Sequence, residues 1–216
     1  MLEKMSEFFE NRLDGYDEHM MTCIEGAGDF YSYTAGLLPK DAGCRVLDLG
    51  CGTGLELGEY YAINPDAKVT GIDLSAGMLA ALKEKFEGKE MELIQGSYFD
   101  VPFGESVYDA AVSVESLHHF TQAEKISLYR KLYGALKENG YFILTDYFAP
   151  SEEEEILYRR TLTEMKKEQG LGDDEFYHYD TPLTVAHETE ALLAAGFSSV
   201  EALKSWEATY TLKAKR

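Results

Sequence analysis

The sequence predicts an α/β fold built on a mostly parallel sheet with helices on both faces, and three observations lead there. Short apolar, β-branched runs recur along the chain; amphipathic stretches of helical period separate most of them; and the first run ends in a glycine-rich turn that opens a helix. The 216 residues, 45% hydrophobic and 27% charged, suit a single domain over 1–216. A chain of this size buries about 70% of the surface it exposes when unfolded, so it needs no disulfide or metal staple.

The elements follow in order. Residues 1–40 read as a helical, aromatic-rich lid carrying Phe8, Phe9, Tyr16, Phe30, Tyr31 and Tyr33. A core over 41–150 contains strands at Arg45–Leu49, Lys68–Asp73, Met91–Gln95, Asp109–Val114 and Tyr141–Asp146. Thr121 and Glu124 have capping-box spacing before the Ile126, Leu128, Leu132, Leu136 pattern, and Asn139-Gly140 is expected to close that helix. Residues 151–182 read as a helical insertion that starts at Ser151, runs to about Gln169 and breaks at Gly170-Leu171-Gly172. Its acidic run Glu152–Glu155 fits the first turn of a helix and is assigned no chemistry. Over 183–216, the Thr181-Pro182 pair is expected to start a helix through Ala195, closed by Gly196, before two hairpin-like strands at Ser198–Leu203 and Ala208–Lys213.

Charge excludes some partners. Thirty-nine acidic against 20 basic residues give a net charge of -19, a field that repels phosphate backbones and disfavours a nucleic-acid partner. No stretch has the roughly 18 apolar residues of a membrane span or the h-region of a signal peptide. Cys23, Cys44 and Cys51 are odd in number and widely spaced, with no CxxC pair and no His at zinc-ligand spacing. They read as reduced thiols of a cytoplasmic protein, and no metal is expected.

The chemistry concentrates in two segments. Val46-Leu47-Asp48-Leu49-Gly50-Cys51-Gly52-Thr53-Gly54 is a strand, a glycine turn and a helix start, which lets backbone approach a ligand closely and presents free amide donors. Val69-Thr70-Gly71-Ile72-Asp73 ends a second strand in a carboxylate 23 positions after Gly50, where two acceptor oxygens suit the vicinal hydroxyls of a ribose. A nucleoside-type cofactor belongs between them. The third glycine, Gly54, follows the second by two residues instead of three, so the dinucleotide fingerprint is absent and a nicotinamide cofactor is disfavoured.

These two segments, with Gln95-Gly96-Ser97-Tyr98-Phe99-Asp100-Val101-Pro102-Phe103, Tyr108-Asp109-Ala110-Ala111-Val112 and Leu136-Lys137-Glu138-Asn139-Gly140-Tyr141, resemble the class I S-adenosylmethionine (SAM)-dependent methyltransferases over nearly the whole chain. The resemblance implies a Rossmann-like sheet of seven strands with the last one antiparallel, and SAM as cofactor with S-adenosylhomocysteine (SAH) as product. It places Asp48, Gly50, Cys51, Gly52 and Gly54 on the methionine and ribose portion, Asp73 on the ribose hydroxyls, and Leu74 and Met78 beside the adenine. The family's acidic residue in the third motif is here Ser97, which leaves the adenine amino contact to the Ser97 hydroxyl or to backbone around Tyr98 and Phe99.

The fourth motif, Ser113-Val114-Glu115-Ser116-Leu117-His118-His119-Phe120, starts at a strand end, where open α/β sheets put their ligands, so Ser113 and Glu115 are expected near the transferred methyl. Methyl transfer from a sulfonium is an in-line displacement that needs alignment and desolvation more than covalent help. Where the acceptor arrives protonated, candidate bases are Glu115, His118, His119 and Tyr147, with Glu115 and His118 favoured; Tyr16, Tyr31 and Tyr147 are candidates for contact with a small-molecule acceptor. Two alternatives stay open. The Phe9, Tyr16-Asp17 opening and the Ala194-Ala195-Gly196-Phe197 helix end are similar to the carboxy-SAM synthases linked to tRNA wobble-uridine modification. That reaction needs a cation for its extra carboxylate, and residues 173–180 carry no Arg; Arg159 and Arg160 read as exposed helix cations. The other alternative is a SAM-binding protein without turnover.

Overall fold

The computed structural model describes residues 1–172 and 175–216; Asp173 and Asp174, part of the arginine-free stretch, lie outside the described residues. Three helices come first, α1 (Met5–Glu10), α2 (Tyr16–Cys23) and α3 (Ala27–Leu37), followed by β1 (Arg45–Leu49), α4 (Leu55–Ile63), β2 (Lys68–Asp73), α5 (Ala76–Lys85), β3 (Met91–Gln95) and β4 (Tyr108–Val114). Then come α6 (Gln122–Ala135), β5 (Leu136–Tyr147), α7 (Glu152–Gln169), α8 (Val185–Ala195), β6 (Ser199–Trp206) and β7 (Thr209–Lys215). The seven strands form one sheet in the order β3-β2-β1-β4-β5-β7-β6. Pairings β3 through β5 are parallel, and β7 runs antiparallel to both neighbours. The expected seven-stranded, mostly parallel sheet with an antiparallel last strand is the one observed.

Period-two alternation along the central strands feeds two cores. Leu47, Leu49, Ala111, Phe142 and Leu144 point to one face, where α6 and α8 bring Leu128, Leu132, Ala191 and Leu192. Val46, Val69, Val112 and Ile143 point to the other, against Phe30, Tyr31, Leu57 and Tyr60 of α3 and α4. Two buried polar devices tie the layers. The Thr145 hydroxyl bridges Thr34 of α3 at 2.6 Å and Thr211 of β7 at 2.8 Å. Lys125 and Tyr129 of α6 both donate to the buried Glu188 carboxylate of α8.

Two helix boundaries differ from the sequence expectation, each because tertiary pairing outweighs a local signal. α6 stops at Ala135: Leu136 is extended and pairs with Tyr108, and the next register pair is Ala110 with Tyr141. Asn139, with φ of 67°, therefore turns the bulge between those pairs and does not close the helix. α8 starts at Val185 with Thr184 as its cap, three residues after Pro182, because the preceding segment is extended: Thr181 N–H bonds His118 O and Leu183 O receives Ala149 N–H. Glu152–Glu155 occupy the first turn of α7 as expected, and Glu155 is in addition buried, accepting from Thr184 N–H at 2.7 Å and pairing with His187 at 2.9 Å. Among the described residues no helix is long and apolar enough to cross a membrane.

Candidate active site

The strand order reverses at β1, whose neighbours are β2 and β4, and the site opens at the carboxyl ends of these strands. Gly50 leaves β1 at φ of 74°, and a Cβ there would stand 2.0 Å from the Ser116 hydroxyl of the β4 loop, so only glycine lets the two loops meet. Gly52 and Gly54 also take positive φ, and Gly54 is the N-cap residue of α4. Asp73 stands at the end of β2 with one oxygen on Gly52 N–H at 2.9 Å and the other on Ser75 N–H at 2.8 Å. Burial raises its carboxyl against these backbone donors. Leu74, Met78 and Tyr98 form an apolar wall beside it.

Beneath the turn lies a second pair of acids. Asp48 and Glu56 are fully buried, and burial first, then their mutual proximity, pushes Asp48 well above the ordinary carboxylate range; burial raises Glu56 as well. Among the described residues, Asp48 Oδ2, Glu56 Oε1 and the Tyr61 hydroxyl have no hydrogen-bond partner. Orphaned buried acceptors of this kind ask for a cation or donor, and Glu56 faces the glycine turn together with Tyr16 and Tyr31.

Next to this cradle is a cavity of about 550 Å³, lined by Phe8, Arg12, Tyr16, Glu115, His118, His119, His178 and Asp180 among others. Glu115 borders both the cavity and the cradle. It holds a left-handed φ of 48°, strain of the kind that collects at functional sites, and accepts from the Thr209 hydroxyl at 3.1 Å. Burial and the Asp146 charge push its carboxyl up to about 7. His118 is clasped by Asp146: Nδ1 lies 2.6 Å from Oδ1, while the other Asp146 oxygen accepts Leu117 N–H at 2.9 Å. Burial alone would lower the His118 pKa, but the Asp146 and Asp180 carboxylates outweigh it and hold the ring well above the usual histidine range. His119 is shifted well below, by burial and by its neighbour His118.

Two segments close over the site as one clasp. Lys4 pairs with Tyr177 as a strand bridge, Met5 N–H bonds Phe176 O, His178 N–H bonds Glu3 O, and the Phe8 and His178 rings stack 3.4 Å apart. The lid is latched to the cradle by carboxylates: Glu10 accepts from Ser75 Oγ at 2.5 Å and Gly77 N–H at 3.1 Å, and Asp17 accepts from the Thr53 hydroxyl and from Lys85 at 2.6 Å.

A family model for a methyltransferase domain matches residues 46–140, the span from β1 into β5 that holds the glycine turn, Asp73 and Glu115. The matched span is a methyltransferase domain, and the chain is similar to SAM-dependent methyltransferases along its length. Among its relatives, the carboxy-SAM synthase of Wolinella succinogenes is 28% identical over 99% of this chain and 92% of its own length. An uncharacterized methyltransferase of Synechocystis is 31% identical over 59% of this chain and 58% of that protein. Human N-acetylserotonin methyltransferase, solved with SAM, has a TM-score of 0.67 at 17% identity, covering 96% of this chain and 57% of that one. A SAM-dependent methyltransferase from Mesorhizobium loti gives 0.62 at 19%, covering 85% and 96%.

The methyltransferase cradle fits SAM. The orphaned Asp48 and Glu56 oxygens match a ligand that carries an ammonium and a sulfonium, Asp73 retains acceptor capacity beyond its two backbone donors, and Leu74, Met78 and Tyr98 offer an apolar wall for a base. Met5, Phe9 and Tyr16 of the N-terminal helices also line this crevice, whose free volume is about 50 Å³.

The remaining candidates divide. Tyr16 lines both the cavity and the glycine turn, Tyr31 lines the turn and not the cavity, and Tyr147 sits edge-on to His118, with centroids 6.1 Å apart, outside the cavity lining. The Cys51 thiol packs against Gly71, where a Cβ would stand 2.7 Å away. Ser97 accepts from Phe99 N–H, and the Tyr98 hydroxyl donates to Ser116 O. Ser113 is fully buried and bonds Leu49 O at 2.8 Å, a tie between β4 and β1. Arg159 is not an exposed helix cation: it is half-buried and clamps Phe120 O at 2.8 Å and Thr181 O at 3.0 Å, whereas Arg160 is exposed and pairs with Glu164. Sequence reasoning missed Arg12, Asp146, His178 and Asp180 as parts of the site. Asp146 alone left a signal, an acid at the end of the strand beside β4.

Proposed function

We propose that this methyltransferase moves the methyl group of SAM to a small-molecule acceptor whose nucleophile arrives protonated, with Glu115 as the general base. The observation that carries this reading is the position of Glu115 on the wall shared by the cradle and the 550 Å³ cavity. SAM supplies an electrophilic methyl carbon on a cationic sulfur. Asp48 and Glu56 hold its ammonium end, Asp73 the ribose hydroxyls, and Leu74 and Met78 the base. Tyr16 and Phe9 exclude water on closure, which strengthens the electrostatic interactions inside. Glu115 takes the proton of an acceptor held about 3 to 3.5 Å from the methyl carbon, an alignment that supplies much of the rate. His118, fixed by Asp146, orients the acceptor from beside Glu115. The Phe8 and His178 stack and the cations Arg12 and His118 favour a planar acceptor with an oxygen function.

A second reading is favoured by one observation: the carboxy-SAM synthase relative aligns over 99% of this chain and 92% of its own length. In that reading the Arg12 and histidine wall meets an additional carboxylate. Thermal shift with SAM, SAH and carboxy-SAM, followed by mass spectrometry of SAM incubated with phenolic and amine acceptors, tests both. SAH release with a methylated acceptor supports the first; the largest shift with carboxy-SAM, without methylated product, replaces it by the second.

A further inference from the structure

We propose that His118, His119 and Asp180 form a binding site for a divalent transition-metal ion of the zinc type on the wall of the acceptor cavity. His118 Nε2 and His119 Nδ1 each lie 3.4 Å from Asp180 Oδ1, and the three ligand atoms fall within 4.8 Å of one another. Zinc takes nitrogen and oxygen ligands at about 2.0 to 2.2 Å, and the edge of a tetrahedron with such arms is about 3.4 Å. Both nitrogen-to-oxygen spacings match such an edge.

Two further observations point the same way. The rear of His118 is prepared as a metal ligand's usually is: its Nδ1 is bound to Asp146, whose second oxygen is held by Leu117 N–H, so the tautomer and ring orientation are fixed and Nε2 faces the cavity. The two ligand-bearing segments are also fastened together by backbone. Thr181 N–H bonds His118 O, the Thr181 hydroxyl bonds His119 O, and Arg159 clamps Phe120 O and Thr181 O. The imidazoles are buried while the Asp180 side chain is 50% exposed, which gives an ion a route from solvent. When the ion binds, the neutral His119 ring gives up its Nδ1 contact with Tyr179 O at 3.2 Å and carries its proton on Nε2, while the Nε2 proton of the charged His118 ring is displaced to solvent. Sequence spacing gives no hint of this site, because its third ligand comes 61 residues after the second by chain position, 180 less 119.

Three protein ligands leave a coordination position open, and Glu115 lines the same cavity, its carboxylate 4.0 Å from His118 Nδ1 on the ring edge away from the ion. The ion therefore takes an acceptor oxygen, a hydroxyl or phenol, across the His118 ring from the base. This use of the ion rests on the methyl-transfer reading; the ion site itself does not.

The test titrates chelator-treated, full-length protein with zinc by calorimetry and with cobalt(II) by visible absorption. One equivalent of cobalt with imidazole-type ligand-field bands is expected. Asp180→Ala and His119→Gln should each weaken binding by tenfold or more, and His187→Gln, on a distant pair, should leave it unchanged. Thermal shift with SAH on the same samples reports the methyl-donor site separately, so loss of that shift in the wild type would sink the methyltransferase reading and leave the metal result standing. Absence of a stoichiometric cobalt spectrum in the wild type overturns the proposal even where the variants fail to fold. Unchanged affinity in both folded variants also overturns it.

Discussion

Asp146 and His118 meet across the carboxyl ends of adjacent parallel strands, with Oδ1 2.6 Å from Nδ1, and the second Asp146 oxygen is fixed by the Leu117 amide. The carboxylate thus holds both the ring and the loop that carries it. Asp146→Asn keeps the shape and removes the charge that selects the tautomer. Turnover with an acceptor is expected to fall by at least about tenfold, the range seen when a supporting carboxylate is lost, with SAH affinity retained. Steady-state kinetics beside SAH calorimetry checks this; equal loss of both would show that Asp146 serves folding alone.

Asp73 is the acid of the cradle that does not belong to the buried pair. Saturating SAH at 100 times its dissociation constant adds about 2.7 kcal/mol, or roughly 5 to 10 °C in melting temperature for a chain of this size. Asp73→Ala is expected to abolish that shift, as read by differential scanning fluorimetry.

Asp48 and Glu56 make donor binding pH-dependent, and the sign follows from their buried state. Both carboxyls are raised by burial, so the free pair retains a proton that ordinary acids release. An incoming ammonium favours the ionised pair, so binding expels a proton and affinity rises with pH until the pair is ionised without ligand. Calorimetry of SAH in two buffers of different ionisation enthalpy measures the released proton. Glu56→Gln should remove it; equal heats in both buffers for the wild type would count against an ammonium at this position.

Glu10 and Asp17 latch the lid onto the starts of α5 and α4. Neutralising both, Glu10→Gln with Asp17→Asn, is expected to accelerate SAH association in stopped flow and to increase amide exchange over residues 5–23. Unaltered association would mean that the lid is held by its aromatic contacts instead.

Glu188 is buried between Lys125 and Tyr129, and removing one partner of such a cluster leaves an uncompensated charge. Glu188→Ala is expected to cost about 3 to 5 kcal/mol in chemical denaturation, while Glu188→Gln with Lys125→Met restores part of the loss.

The strands β1, β2 and β3 were legible to the residue, since short buried runs between turn signals have little freedom in register. The ends of α6 and the start of α8 were not: Leu136 and Thr181 satisfy local helix signals, but their backbones are taken by Tyr108 and His118. The site divides in the same way. Gly50, Asp73 and Glu115 sit in contiguous motifs and could be read directly. Asp180 and His178 come from a polar loop with no period, and only the clasp with Glu3 and Met5 brings them over the sheet. Arg12 carries no motif at all, and its place follows from the fold of the lid.

That clasp has a kinetic meaning. Glu3, Lys4 and Met5 are bonded to residues 175–178, so the two segments over the site are fastened to each other as one unit. Freeing either segment therefore breaks the same set of backbone bonds, and the amide protons of residues 3–5 and 175–178 are expected to exchange with one common rate.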